Sequence, residues 1–426
     1  MQLTGTDPDR ELFDAEKQTI DPSENRRRAL EGLAAEWDRA WDNPYYGRRF
    51  QDSGLTRDAF PDLDDIPRTT KDDLRADVQA NPPFGTHRSV TLDNARRVGT
   101  STGTTGKPWL QLWTERDMAA AIDVRMQYLW RAGMRPGGRF AHSWPTGMYS
   151  TGVLAGRDFL RAGIMEIPCG LPTTPKDIET HLDLWELLSP TGFMLTGSQV
   201  QIYDAAAKEL GKDLRTLFGG GSLLIVEALY QFEGPRKRFE EEFGVRAHNI
   251  TGASEVPAFS INDCRHHSGM HVPTGHHLVQ VVDPVTGTEV PNGVRGNLVI
   301  NAFGLDAFYM RYDVEDIVVA EEGPCPCGET GQRYTFIGRG ADRAEVDGQK
   351  ILPLDIQLAL FEFDSPEFQL KPGACDAVQL KVESDESSSA AKLAGDIGER
   401  IGVPVEVETI PVGSLPRSSF KPRRTA

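Results

Sequence analysis

The chain has 426 residues, of which 39% are hydrophobic, and a formal net charge of −17 at pH 7. This acidic balance argues against a general binder of nucleic acids or anionic membranes, because such a surface repels phosphates at long range. The sequence has no run of about 18 apolar residues that would span a bilayer, no secretory signal pattern and, with five cysteines, no disulfide framework. We therefore expect a cytoplasmic protein of two or three structural units, without a membrane or nucleic-acid partner.

The N-terminal half alternates predicted helices with short apolar runs. Asp21 suits an N-cap, Pro22 suits the first helical position, and an apolar stripe through Leu33 follows at helical spacing. Another helix is predicted from Thr114, and "SQVQIYDAAAKELG" predicts a third that ends at Gly211 as its C-cap. These stripes indicate ordinary core helices.

The character of the chain changes near residue 278. The runs "LVQVVD", "NLVIN" and "DIVVA" are typical of short strands and are separated by turn formers such as "DPVTGTEVPNG". Beyond Pro353 the pattern predicts a helix ("LDIQLALFEF"), a strand ("CDAVQLKV"), a helix ("SSSAAKLAGDIGERIG") and a strand ("VPVEVETI"). The predicted fold is α/β: a large N-terminal domain over residues 1–337 with a β-rich end, and a small α+β lid domain over residues 338–426.

The stretch "VGTSTGTTGKPWLQLW" concentrates hydroxyls, glycines and one lysine in a single turn. Glycines let a backbone approach a ligand closely, and successive N–H groups with nearby hydroxyls can wrap phosphate oxygens. It is not a Walker loop, because Pro108 follows the lysine where Ser or Thr would stand. A solvated surface turn is the alternative interpretation. The candidate phosphate-binding residues are Ser101, Thr102, Gly103, Thr104, Thr105, Gly106 and Lys107.

The loop "STGTTGKP" resembles the phosphate loop of the acyl-adenylate-forming enzymes, and the chain is most similar to their phenylacetate–CoA ligase branch. "PYYGRRFQDSGL", "IPRTTKDDLRA", "NITGASEV", "HVPTGHHLVQVVDPVTGTEVPNG", "CPCGET", "IGRGADRAEVDGQKILPLDI" and "LPRSSFKPRR" resemble that branch in the same order. The resemblance implies an adenylation domain with a lid that rotates between two half-reactions. It also implies a small carboxylic acid as substrate, ATP and Mg²⁺ as cofactors, CoA as acyl acceptor by default, and a homodimer.

Adenylation brings two anions together, so the chemistry needs cations and dipoles more than a general base. The resemblance assigns magnesium to Glu255 and the lid lysine that bridges carboxylate and phosphate to Lys421. It assigns the ribose hydroxyls to Asp316 and a nucleotide contact at the hinge to Arg339. Further nucleotide contacts are expected at Thr251, Gly252 and Ser254, and "LFGGGSLL" is matched to a strand end near adenine, with Gly220 and Gly221 approaching it.

Six residues in four places depart from the family pattern. Thr251 stands where an aromatic usually lies beside adenine, and residues 313–315 read Asp-Val-Glu where Arg-Thr-Gly is usual. Asp347 replaces an arginine in the loop that faces the thiol acceptor, and Phe420 replaces a glycine before Lys421. Two alternatives therefore stay open: adenylation with transfer to an amine or other non-CoA acceptor, and a nucleotide-binding pseudoenzyme that serves as a partner or regulator.

Two thiol and imidazole clusters, "CRHHSGMH" and "CPCG", form a candidate metal site. With the family alignment, they supply Cys264, His271, Cys325 and Cys327, a set suited to structural, tetrahedral Zn²⁺. His266 or His267 are alternatives to His271, and free buried thiols are the interpretation without a metal.

The acyl group is expected to lie between "HSWPTGMYSTG" and "FMLTGSQ", by the same resemblance. Aromatic and thioether side chains there suit a flat apolar slot for an aromatic acid, although core packing explains them equally well. The candidate pocket residues are Trp144, Met148, Tyr149 and Phe193.

Overall fold

The computed structural model describes residues 11–100, 109–147, 149, 152, 156–361, 367–384, 389–416 and 424–425. Within these ranges the α-helices are α1 (Ala15–Gln18), α2 (Pro22–Ala35), α3 (Trp37–Asp42), α4 (Pro44–Asp52), α5 (Lys71–Ala80), α6 (Glu115–Arg131), α7 (Arg157–Ala162), α8 (Pro175–Leu188), α9 (Gly197–Glu209), α10 (Leu214–Phe218), α11 (Glu233–Phe243), α12 (Pro353–Leu360) and α13 (Ala390–Ile401). Short 3₁₀ turns occupy Leu63–Asp65, Ala228–Gln231 and Gly340–Asp342.

The strands of the same ranges are β1 (Thr69–Thr70), β2 (Arg97–Thr100), β3 (Leu110–Trp113), β4 (Arg139–His142), β5 (Met165–Pro168), β6 (Gly192–Leu195), β7 (Ser222–Ile225), β8 (Arg246–Gly252), β9 (Ser260–Asp263), β10 (Met270–His271), β11 (His277–Val282), β12 (Arg295–Ala302), β13 (Tyr309–Ala320), β14 (Arg333–Arg339), β15 (Ala344–Val346), β16 (Gln349–Ile351), β17 (Phe368–Leu370), β18 (Gly373–Ala374), β19 (Val378–Glu383) and β20 (Val405–Ile410).

One large sheet runs through the N-terminal part in the order β11-β12-β13-β14-β10-β9-β8-β7-β6-β4-β5, with β1 added alongside β13. The strands β5, β4, β6, β7 and β8 are parallel, and the strands from β8 to β11 along this order pair antiparallel. The parallel half alternates with helices in the sequence, which is the connection that parallel strands require. The antiparallel half comes mainly from the β-rich segment after residue 278.

The parallel half is packed on both faces. Leu223 and Ile225 of β7 join one core cluster with Trp185, whereas Leu224 between them joins a second cluster with Tyr128. Side chains alternate between faces of a strand, so a strand buried on both sides reads as a continuous apolar run. This explains why "SLLI" has no polar alternation.

The helix predicted after Asp21 forms with its expected cap, since the Asp21 carboxylate accepts from the backbone N–H groups of Ser23 and Glu24. The apolar stripe is divided between two helices, because α2 ends at Ala35 and α3 begins at Trp37. Both Leu33 and Trp37 are buried in one cluster, so the stripe is core as predicted.

The residues from Ala344 onward, here called the C-terminal unit, form two three-stranded sheets, β16-β15-β18 and β17-β19-β20, with α12 and α13. They enclose a separate apolar cluster that includes Val346, Phe368 and Ile397. The α/β fold with a large sheet and a small α+β C-terminal part is confirmed, while the boundary at residue 337 stays a prediction. Among the described helices, none combines the length and the hydropathy needed to cross a membrane.

Candidate active site

Residues that follow the carboxyl end of β8 make the centre of the site. Ligands of open α/β sheets bind at this edge of the parallel strands. Thr251 and Gly252 end β8, and Ser254 and Glu255 follow closely. A Cβ on Gly252 would lie 2.6 Å from the carbonyl oxygen of Phe259, so the strand end is closely packed and needs glycine.

Glu255 is 7% exposed, and its carboxylate forms an ion pair with the ammonium of Lys71. Its backbone carbonyl accepts a hydrogen bond of 2.8 Å from the hydroxyl of Tyr309. Lys71 is the first residue of α5, which follows β1, and β1 pairs with β13 at Tyr312. Lys71 is a site residue that the sequence does not reveal. It lies within the motif "IPRTTKDDLRA", but nothing local links it to Glu255.

Asp316 and Arg339 are direct partners across β13 and β14, and Arg339 Nε lies 3.2 Å from Asp316 Oδ1. The carboxylates of Asp316, Asp342 and Glu255, with that of Asp316 foremost, raise the pKa of the Arg339 guanidinium. Asp316 is therefore the carboxylate in contact with Arg339 at the start of the hinge, and Asp342 and Glu255 add to the negative charge around it. Burial raises the pKa of Asp342, which ends the 3₁₀ turn that follows Arg339.

The phosphate loop, residues 101–108 with Lys107, lies outside the described residues, but its base is described. Thr100 of β2 pairs with Leu110 of β3, so a hairpin closes the loop, and Thr100 also bridges to Tyr149. The Tyr309 hydroxyl, which contacts the Glu255 backbone carbonyl, lies 3.4 Å from Oε1 of Gln111 in β3. The hairpin therefore joins the loop to both the magnesium candidate and the acyl-pocket candidate.

Of the predicted pocket residues, Trp144 and Tyr149 lie together, with ring centroids 6.3 Å apart. Met148 lies outside the described residues. Phe193 is fully buried and packs against Trp185 and Phe218, which favours the core-packing alternative, and its pocket role stays a prediction. Successive side chains of a strand point to opposite faces of the sheet. Phe193 of β6 therefore belongs to one core cluster and its neighbour Met194 to the cluster on the other face.

Gly220 and Gly221 precede β7 and lie at its amino end. Ser222 pairs with Arg246, the first residue of β8, whereas Thr251 lies near the other end of that strand, which spans about 20 Å. This position corrects the expectation that the two glycines approach adenine. At the carboxyl end of β7 the chain continues instead into Glu227, which no motif in the sequence singles out.

Two departures from the family pattern have a structural role here. Asp313 accepts hydrogen bonds from Arg68 and Asn297, so it holds β1 and β12 against β13. Asp347 and Gly348 have φ values of 48° and 78° and connect β15 to β16. An Asp-Gly pair with both φ values positive is typical of a tight hairpin turn, so Asp347 suits the turn itself. Lys421 and Phe420 lie outside the described residues.

The four candidate zinc ligands come together in a cluster named here the Cys₃His cluster: Cys264, His271, Cys325 and Cys327. Their ligand atoms all lie within 4.8 Å of one another, with Cys264 Sγ 3.6 Å from Cys325 Sγ and Cys327 Sγ 3.6 Å from His271 Nε2. A tetrahedron with Zn–S bonds of about 2.3 Å has edges of about 3.8 Å, so the set fits the ion. His267 instead hydrogen-bonds Asp263 through Nδ1 at 2.7 Å.

A second layer supports the imidazole of this cluster. Glu329 Oε2 lies 3.5 Å from His271 Nδ1, and both Glu329 oxygens are held at 2.7 Å by Arg131 of α6. Metal-bound histidines commonly have a carboxylate on the second ring nitrogen, which orients the ring and raises its basicity. The Cys₃His cluster therefore ties the β9, β10 and residue 325–329 segments to α6.

Comparisons with known proteins bear on the fold and on the family resemblance. No family model matches the chain. The phenylacetate-coenzyme A ligase of Thermus thermophilus is 29% identical over 412 residues, which cover 88% of this chain and 89% of the relative. A crystal structure of 2-hydroxyisobutyryl-CoA ligase in the postadenylation state, in complex with 2-HIB-AMP, has a TM-score of 0.89 at 22% identity and covers 100% of this chain and 94% of that one. The same ligase with 2-HIB-AMP and CoA in the thioesterification state has a TM-score of 0.73 at the same identity and coverage. The comparisons confirm the family resemblance and the fold that the motifs predict.

Proposed function

We propose that this chain, which is related to the phenylacetate–CoA ligases, uses ATP to activate a carboxylic acid as an acyl-AMP and then transfers the acyl group to CoA. The observation that carries the proposal is the pairing of Asp316 with Arg339 at 3.2 Å, together with the buried carboxylate of Glu255 that follows β8. A carboxylate for a metal and a carboxylate for hydroxyls are what a nucleotide triphosphate site needs beside its phosphate loop.

The proposed roles follow from charge. Glu255 suits Mg²⁺ because it is a buried carboxylate, a hard oxygen donor, beside the base of the phosphate loop. Magnesium there supplies neutralisation of the phosphates, while the loop amides, its hydroxyls and Lys107 hold the phosphate oxygens. Asp316 accepts from the ribose hydroxyls, and Arg339, already paired with it at 3.2 Å, fixes its orientation. Thr251, Gly252 and Ser254 line the nucleotide on the β8 side.

The C-terminal unit acts in this proposal as a lid. Its position supports the adenylation arrangement, because the TM-score to the postadenylation structure, 0.89, exceeds that to the thioesterification structure, 0.73. The acid is proposed to be aromatic, since Trp144 and Tyr149 form an aromatic pair beside the loop base. A cytoplasmic homodimer is part of the same proposal, and size-exclusion chromatography with light scattering tests the dimer.

The first experiment is pyrophosphate release from ATP and Mg²⁺ with a panel of aryl and short aliphatic acids, each with and without CoA, with products read by mass spectrometry. We expect acyl-AMP from an aryl acid and its conversion to acyl-CoA. Acyl-AMP that accumulates despite CoA would support an amine or another acceptor. ATP binding without release for any acid would contradict the proposal and favour the pseudoenzyme.

Lys71→Met is expected to lower kcat/KM for ATP by about ten- to a hundredfold. The substitution leaves the buried Glu255 carboxylate without the ion-pair partner that the described residues give it and removes a positive charge from the phosphate side of the site. Lys71→Arg keeps the charge and should recover part of the loss. Lys212→Met removes a lysine that pairs with Asp183 and Glu186 on the surface and should leave the rate unchanged. Equal rates for Lys71→Met and wild type would refute the role.

A further inference from the structure

The last described residues, Arg424 and Thr425, are held against the C-terminal unit. The backbone N–H of Leu370 in β17 donates to the Arg424 carbonyl at 2.7 Å, and Thr425 forms a bridge with the same residue. The Thr425 side chain lowers the pKa of Asp342 at the hinge, against the effect of burial, so the two residues are neighbours. This short segment, here called the tail anchor, therefore connects the sheet of β17 to the hinge.

The Arg424 guanidinium joins two parts of the molecule. Within the C-terminal unit it forms an ion pair with Glu367 and lies over the Phe368 ring, 5.1 Å from its centroid. Its Nη2 also lies 3.7 Å from Oε1 of Glu227, which lies two residues beyond β7 of the large sheet. Gln357 of α12 donates to the same Glu227 oxygen at 2.7 Å. Glu227 is thus held by two residues of the C-terminal unit.

Glu227 lies at the edge where the nucleotide is proposed to bind. It follows the carboxyl end of β7, and Asn249 of the neighbouring β8 donates its side-chain amide to the Glu227 carbonyl. Its side chain is 9% exposed, and burial raises the pKa of this carboxyl while Arg424 opposes that shift. A buried carboxylate is costly without a cationic partner. The negative charge of Glu227 therefore favours the position of the C-terminal unit in which the Arg424 guanidinium contacts the Glu227 carboxylate.

We propose that Arg424 is a positioning residue for adenylation: by docking on Glu227 it holds the tail anchor, and with it the C-terminal unit, at the nucleotide edge in the arrangement for the first half-reaction. This inference rests on the proposed function. When the lid rotates for transfer to CoA, Glu367, Leu370 and Phe368 move with Arg424, whereas Glu227 stays with the large sheet. The contact is therefore specific to the first half-reaction.

The test separates the two half-reactions in the full-length protein. Adenylation is measured as acid-dependent pyrophosphate release, and transfer is measured as acyl-CoA formed from supplied acyl-AMP. Arg424→Met and Glu227→Gln are each expected to lower kcat of adenylation by about a hundredfold, the cost of a small misplacement of a reacting group. Transfer should stay within about threefold of wild type, and Arg424→Lys should recover part of the adenylation rate.

Two further variants make the result specific. The double variant Arg424→Met with Glu227→Gln should be no slower in adenylation than Arg424→Met alone, because the two residues act as one unit. Lys381→Met removes an exposed lysine that pairs with Glu408 in the same C-terminal unit and should change neither half-reaction.

Each other outcome has a distinct meaning. An unchanged adenylation rate in Arg424→Met overturns the inference, and so does an equal loss of both half-reactions, which indicates a purely structural role. If the wild type itself forms no acyl-AMP with any acid, the proposed function has failed and the inference falls with it. A failure of the proposed function is thus distinguished from a failure of the inference, because it is already seen in the wild type.

Discussion

Glu255→Gln is expected to lower acid-dependent pyrophosphate release by about 10²- to 10³-fold while the protein stays folded. Glutamine preserves the size of the side chain but removes the charge that makes Glu255 a ligand for Mg²⁺. In the wild type the Glu255 carboxylate forms an ion pair with the Lys71 ammonium and is nearly closed to water. Water therefore does not compensate for the loss of the carboxylate charge. The measurement is a coupled pyrophosphate assay over a range of Mg²⁺ concentrations, beside a thermal unfolding curve.

Glu186→Gln is the matched control for this prediction. Glu186 is also a glutamate paired with a lysine, Lys212, but its side chain is 64% exposed on α8. Exposed pairs contribute about 0–1 kcal/mol, so this variant should match the wild type in rate and stability. A wild-type rate for Glu255→Gln at limiting Mg²⁺ would show that the metal carboxylate lies elsewhere.

Cys325→Ser is expected to remove a bound zinc that we propose for the Cys₃His cluster, at about one ion per chain in the wild type. All four ligands of the set come from the protein, which is the pattern of a structural site rather than a catalytic one. Its loss removes the link between Cys264 after β9, His271 of β10 and the 325–327 segment, whereas Asn262 of β9 stays hydrogen-bonded to Arg131 and Tyr128 of α6. We expect the midpoint of thermal unfolding to fall by about 5 °C or more.

Elemental analysis of the purified protein measures the zinc, and a chelator should reproduce the fall in the unfolding midpoint on the wild type. Cys375→Ser is the control, because Cys375 is a half-buried thiol of the C-terminal unit that is remote in the fold from the cluster. Metal-free wild type with an unfolding midpoint equal to that of Cys325→Ser would identify the three thiols as ordinary buried cysteines.

Local signals in the sequence determined the elements and the fold class. The cap at Asp21, the continuous apolar run of β7 and the alternation of strands and helices after residue 353 all act within one element or between neighbours. These signals work because caps, side-chain periodicity and turn formers depend on residues a few positions apart. The ordered motifs likewise indicated Glu255 and Asp316 as site residues, and they indicated the Cys₃His set.

Only the tertiary structure decided which ends and faces of these elements meet. The sequence predicted that Gly220 and Gly221 approach a ligand, but the direction of the strand places them at the amino end of β7. Phe193 faces the core because successive side chains of β6 point to opposite faces of the sheet. The pairs Lys71–Glu255 and Arg424–Glu227 join segments that no local pattern connects. Such contacts arise from the pairing of distant strands and the packing of layers, which depend on the whole chain and not on the residues around each side chain.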